Sequence, residues 1–132
     1  MICQKKSANW TVGSVTGHGP LRTDPYKYGL ESLAAHLKGM LDGTLFALAY
    51  NEFCAPTLEE AVDEVIAAGA RGITVVSSMF TPGGSHAEIE IPETLAQLRT
   101  RHPDIVLRYA WPFDLNLVAT MLVQHINEYR EA

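Results

Sequence analysis

Positive charge is in short supply: Lys and Arg together number 10 against 15 Asp and Glu, leaving a formal net charge of -5. Binding a phosphate backbone requires a basic surface, so no nucleic-acid partner is expected, and any polyanionic ligand must find a local basic patch. Cysteine is almost missing, with only 2 residues, Cys3 and Cys54. Their wide separation forms neither a disulfide framework nor a paired zinc knuckle, which fits free thiols in a reducing compartment and a cytoplasmic location. No uncharged run reaches the ~20 residues of a membrane span, and Lys5-Lys6 is not followed by the apolar stretch of a secretory leader. No membrane partner is therefore expected. Internal repeats and low-complexity stretches are also absent.

What is present is the balance of a globular chain: 132 residues, 47% apolar and 19% charged. Residues 1–9 are polar and are expected to lie as a tail outside the fold, with residues 10–132 as one α/β domain. Trp10 to Thr16 is short, apolar and β-branched, and Gly17-His18-Gly19-Pro20 breaks it, which reads as a buried strand ending in a loop. From about Tyr26, Leu30, Leu33, Ala34, Leu37 and Leu41 recur at helical steps, with Gly43 as the stop. Thr44 to Tyr50 returns to a strand pattern.

Thr57 and Glu60 have capping-box spacing, and Leu58, Ala61, Val62, Val65 and Ile66 make the apolar stripe of a second helix closed by Gly69. Ile73 to Phe80 is the third predicted strand. The loop Thr81-Pro82-Gly83-Gly84-Ser85-His86 leads to a helix carrying Ile91, Leu95 and Leu98, where Pro92 fits only near the first turn. Ile105 to Ala110 is a fourth strand, and Asp114 can cap a last helix with Leu115, Val118, Ala119, Leu122, Val123 and Ile126 on one face. Such alternation predicts a four-stranded parallel sheet with helices on both faces. In such sheets ligands bind beyond the carboxyl ends of the strands, which is where His18, Glu52 and His86 fall.

Two imidazoles on one edge, each beside glycines, can bind a divalent metal through neutral ring nitrogens or move protons near neutral pH. A carboxylate such as Glu52 or Glu88 can complete the coordination or accept a proton. The alternative for His18 is a turn histidine bonded to backbone, and for His86 a ring at a helix N-terminus. His36, His102 and His125 read as surface residues. The Gly83-Gly84 loop lacks the Lys-Ser/Thr ending of a P-loop and the G-x-G-x-x-G spacing of a dinucleotide site. Gly17 stands where a histidine phosphatase needs arginine.

Gly17-His18-Gly19 and the run Gly83-Gly84-Ser85-His86-Ala87-Glu88-Ile89-Glu90-Ile91-Pro92 resemble the short class II chelatases, the sirohydrochlorin cobalto-, nickel- or ferrochelatases. The likeness extends through Glu52-Phe53-Cys54-Ala55-Pro56-Thr57-Leu58 and Gly69-Ala70-Arg71-Gly72-Ile73-Thr74-Val75-Val76. The resemblance implies a half-unit of the longer, duplicated chelatases that works as a homodimer and inserts a divalent metal into an anionic tetrapyrrole. His18 and His86 match the metal-binding and proton-accepting histidines, and Glu52 matches an acidic position. The metal, cobalt, nickel or iron, is then a substrate, and no permanent cofactor is implied. Arg22 and Lys27 are candidates to pair with the macrocycle's carboxylates, and Gly83, Gly84 and Ser85 to approach it. Pro20, Ala55 and Ser77-Ser78 depart from the usual pattern, which keeps a non-catalytic tetrapyrrole- or metal-binding module as the alternative. Trp111, Phe113, Leu117 and Met121 are candidates for the dimer contact.

Overall fold

The second helix shows most directly how local sequence becomes structure. In the computed structural model of the chain, which describes residues 2–5, 25–50 and 55–130, Thr57 and Glu60 form the reciprocal capping box. Glu60 N–H donates to Thr57 Oγ1 at 3.2 Å, and Thr57 N–H donates to Glu60 Oε2 at 2.8 Å. Two of the donors that every helix start leaves open are thereby satisfied. The helix ends on Gly69, whose φ of 101° is open to glycine without strain. Ala70 N–H reaches the Val65 carbonyl and Gly69 N–H the Ile66 carbonyl, both at 2.9 Å, the paired bonds of a Schellman ending.

The described elements run β1 (Ile2–Lys5), α1 (Pro25–Met40), β2 (Thr44–Ala47), α2 (Leu58–Ala67), β3 (Gly72–Val75), a π-helical turn (His86–Glu90), α3 (Ile91–Arg101), β4 (Val106–Tyr109) and α4 (Leu115–Arg130). The sheet order is β2-β1-β3-β4. β3 and β4 are parallel, in register from Gly72 opposite Val106 to Val75 opposite Tyr109. β1 is antiparallel to both β2 and β3, so β2, β3 and β4 all point one way. This is an α/β fold with four α-helices and a small sheet whose β2, β3 and β4 run parallel in direction among the described residues.

Two expectations need correction. The sheet is not parallel throughout, because residues 2–5, expected in the tail, hold the place between β2 and β3 and run against them. A strand in that place serves the backbone groups of both neighbours, and antiparallel pairing does so at least as well as parallel pairing. The predicted strand Trp10 to Thr16 lies outside the described residues.

The second correction concerns the covering of the sheet. One hydrophobic cluster joins Leu45 of β2, Leu58, Ala61, Val62 and Val65 of α2, Ile73 and Val75 of β3, Ile91, Leu95 and Leu98 of α3, and Leu107 of β4. These are the stripes the sequence predicts. On β4, however, Val106 and Arg108 alternate with Leu107 and are exposed, so among the described residues that strand is covered on one face only. Helix α4, capped as expected by Asp114 Oδ1 accepting from Asn116 N–H at 2.9 Å, has no buried residue. Its apolar stripe exists, but it does not enter this core.

Candidate functional site

At the carboxyl end of β3 the chain leaves the sheet through a buried serine, Ser77, whose Oγ accepts from Met79 N–H at 2.9 Å. Ser77, one of the Ser77-Ser78 pair, therefore shapes the exit from the strand. The loop then folds back on the helix that follows. Gly83, at φ 109°, donates its N–H to Glu88 Oε1 at 3.1 Å, and Glu88 N–H donates to the Gly84 carbonyl at 3.0 Å. A side chain at position 83 would strain this turn.

His86 opens the π-helical turn, in which Ile91 N–H bonds the His86 carbonyl. Single π turns inside helices are frequent at functional sites because they displace one residue from the regular α register. Here the displaced segment carries the imidazole. His86 Nδ1 lies 2.8 Å from Glu90 Oε2, and the two side chains remain 37% and 43% exposed. An ionised carboxylate only accepts, so in this contact Nδ1 is the donor.

The turn is tied to the sheet from the other side. Tyr109, at the end of β4, donates its hydroxyl to the Ala87 carbonyl at 2.9 Å. Burial, and secondarily the negative charge of Glu88, hold the Tyr109 pKa above its ordinary value. Beyond Tyr109 a row of rings runs along the strand ends. Tyr109 stacks on Trp111 with centroids 6.1 Å apart, Trp111 meets Phe113 edge-on at 6.0 Å, and Phe113 meets Phe80 edge-on at 5.3 Å. Phe80 and the half-buried Trp111 and Phe113 supply apolar area beside the imidazole's turn.

Of the residues singled out from sequence, His86, Gly83, Gly84 and Ser85 fall together in this loop and turn. Lys27 belongs to α1, where its Nζ is 4.0 Å from Glu31 Oε1 and 5.9 Å from the centroid of the Tyr50 ring. His18, Arg22 and Glu52 lie outside the described residues. Among the described residues no three His, Cys, Asp or Glu side chains are grouped to hold a metal ion. The three histidines set aside have surface partners: His36 Nδ1 with the Ser32 carbonyl at 2.7 Å, His102 Nε2 with Asp63 Oδ1 at 2.8 Å, and His125 with Glu128 at 3.8 Å.

Sequence reasoning passed over Glu90 and Tyr109. Glu90 had a usable signal, the four-residue step from His86 that places side chains together on a helix. Tyr109 had none, since its partner is a backbone carbonyl 22 positions away.

A glycine-rich loop and a carboxylate-held histidine thus lie beyond the carboxyl ends of the parallel strands β3 and β4 in an α/β fold. The family model described as CbiX matches residues 14–129, and the chain belongs to that family. A curated relative, sirohydrochlorin ferrochelatase of Priestia megaterium, is 29% identical over 92 residues, which is 69% of this chain and 34% of the relative. The chain thus spans about a third of that relative's length. Among solved structures, the sirohydrochlorin chelatase SirB from Bacillus subtilis subspecies spizizenii, in complex with cobalt, superposes with a TM-score of 0.63 at 24% identity, over 70% of this chain and 39% of that one. A CbiX protein of Marinobacter aquaeolei gives 0.63 at 23% identity, over 85% of this chain and 91% of that one. SirB from Bacillus subtilis with Fe3+ gives 0.62 at 23% identity, over 72% and 37%. These likenesses establish the fold.

Proposed function

We propose that this protein inserts a divalent metal, cobalt, nickel or iron, into sirohydrochlorin or a close relative. The observation that carries the reading is His86 on its π turn, held at Nδ1 by Glu90, in a chain of the CbiX family. The relatives named for sirohydrochlorin, and those holding cobalt or Fe3+, support the choice of substrate class.

In this reading His18 and His86 bring the metal to the macrocycle through neutral ring nitrogens and receive the pyrrole N–H protons that leave as the metal enters. Glu52 accepts a proton or completes the coordination. Gly83, Gly84 and Ser85 allow close approach of the ring, and Arg22 and Lys27 meet its carboxylates. The metal is consumed as a substrate and no permanent cofactor takes part. The working protein is cytoplasmic and has neither a nucleic-acid nor a membrane partner. The chain forms one domain, a chelatase half-unit, with residues 2–5 paired into its sheet rather than left as a tail.

A tetrapyrrole is a broad disc, and one strand-end edge walls only one side of it, so the unit of function is a homodimer facing across the cleft. Leu117 at 68% and Met121 at 45% exposure make α4, together with Trp111 and Phe113, the candidate contact. The departures at Pro20 and Ala55 motivate the second reading, a carrier that binds without turnover. Absorbance of sirohydrochlorin with each metal, with and without the protein, decides. Repeated insertion faster than the uncatalysed reaction is expected; a stoichiometric complex identifies a carrier, and no acceleration with any metal overturns the chelatase reading.

A further inference from the structure

Helix α3 and the π turn before it bury Ala87, Ile91, Leu95 and Leu98 as one row against the sheet. His86 and Glu90 each precede a member of that row and are half-buried, so they form a second row along the edge of the core. Helical side chains lean toward the N-terminus, and the Glu90 carboxylate accordingly reaches back to His86 Nδ1 at 2.8 Å.

The rest of the turn is fastened independently of this pair. Glu88 holds the loop through Gly83, and Tyr109 holds the Ala87 carbonyl. Two contacts besides the pair thus fasten the backbone of the turn, and the 2.8 Å contact from Glu90 bears on the imidazole itself.

We propose that Glu90 is the positioning residue for His86: by accepting from Nδ1–H it fixes the ring's tautomer and orientation, so that Nε2 is the atom that meets the metal or receives the proton. The assignment rests on the chelatase reading for what Nε2 meets, and on the 2.8 Å contact for the tautomer. Partners of this kind on the far nitrogen of a ligating histidine orient the ring and raise its basicity, and their loss typically costs about 10–100-fold in metal affinity or activity. A neutral amide can accept the same hydrogen bond more weakly, because hydrogen bonds to ionised groups are roughly twice as strong as neutral ones.

The test has a readout that needs neither metal nor turnover. Nitrogen-15 NMR of histidine-labelled protein, at a pH of about 8 where an ordinary imidazole is neutral, reports which ring nitrogen of His86 carries hydrogen. The wild type is expected in the Nδ1–H form, Glu90→Gln largely so, and Glu90→Ala shifted toward Nε2–H. Titration with Co2+ should show about a tenfold or greater loss of affinity in Glu90→Ala, partly restored in Glu90→Gln. Glu93→Ala, which removes an exposed acid from the first turn of α3, should leave both readouts unchanged.

A wild-type ring in the Nε2–H form, or a Glu90→Ala ring still held as Nδ1–H, overturns the assignment. So does an unchanged Co2+ affinity in a Glu90→Ala protein whose tautomer has shifted. Failure of the chelatase reading is separate, since it appears as absent metal insertion by the wild type while the tautomer pattern still reports on Glu90.

Discussion

The Tyr109 hydroxyl donates to the Ala87 carbonyl at 2.9 Å, joining the last residue of β4 to the residue that follows His86. A strand end and a π turn remote in sequence are held as one unit by that bond. Replacing Tyr109 by Phe removes the donor and leaves the rings stacked. The expected cost is about 1 kcal/mol of stability, measured by urea unfolding, with a reduced rate of metal insertion at unchanged far-UV circular dichroism.

The same residue gives a pH signature. Burial first, and the charge of Glu88 second, raise the Tyr109 pKa above the ordinary 10.0. The folded protein therefore holds this proton more tightly than the unfolded chain does. Its contribution to stability is complete below a pH of about 10 and is lost as pH rises through the folded-state pKa. Wild-type unfolding free energy should decline more steeply above that point than that of Tyr109→Phe. Equal slopes in the two proteins would show that the hydroxyl carries no differential proton affinity.

For the histidines, His86→Ala and His18→Ala are each expected to lower metal insertion by about tenfold or more, consistent with loss of a general acid–base or ligand group. His86 is half-buried on the edge of the core, so its variant should melt close to the wild-type temperature. His36→Ala is the control, because that ring bonds only to a carbonyl of its own exposed helix turn at 2.7 Å among its described contacts. Wild-type turnover in either site variant removes that histidine from the mechanism.

The α2 capping box offers a prediction about the scaffold alone. Thr57→Ala deletes the oxygen that accepts from Glu60 N–H at 3.2 Å. A loss of about 1 kcal/mol is expected, seen as a melting temperature lower by a few degrees, with metal insertion per folded molecule unchanged.

On α4, Leu117→Asp should lower the sedimentation mass from twice to once that of the chain and reduce specific activity on dilution, because Leu117 is 68% exposed on the proposed contact. A wild-type monomer with full specific activity at micromolar concentration overturns the shared cleft.

By itself the sequence determined whatever depends on near neighbours along the chain. The cap and Schellman ending of α2, the placement of Pro92 in the first turn of α3, the apolar stripes of α2 and α3, and the exposure of a glycine-bounded loop before His86 all follow from periodicity and local hydrogen bonding. The glycine and histidine motifs also carried the family resemblance. Pairing across the chain was decided only by the tertiary structure. A strand's pattern does not state its direction, so the antiparallel run of Ile2–Lys5 beside β2 and β3 had no signal. An apolar helix face does not name what covers it, so the stripe of α4 predicted a core contact that is absent among the described residues. The π turn needs a backbone carbonyl to wait for the fifth residue rather than the fourth, and the anchoring of that turn by Tyr109 joins atoms that only the packed sheet brings within reach.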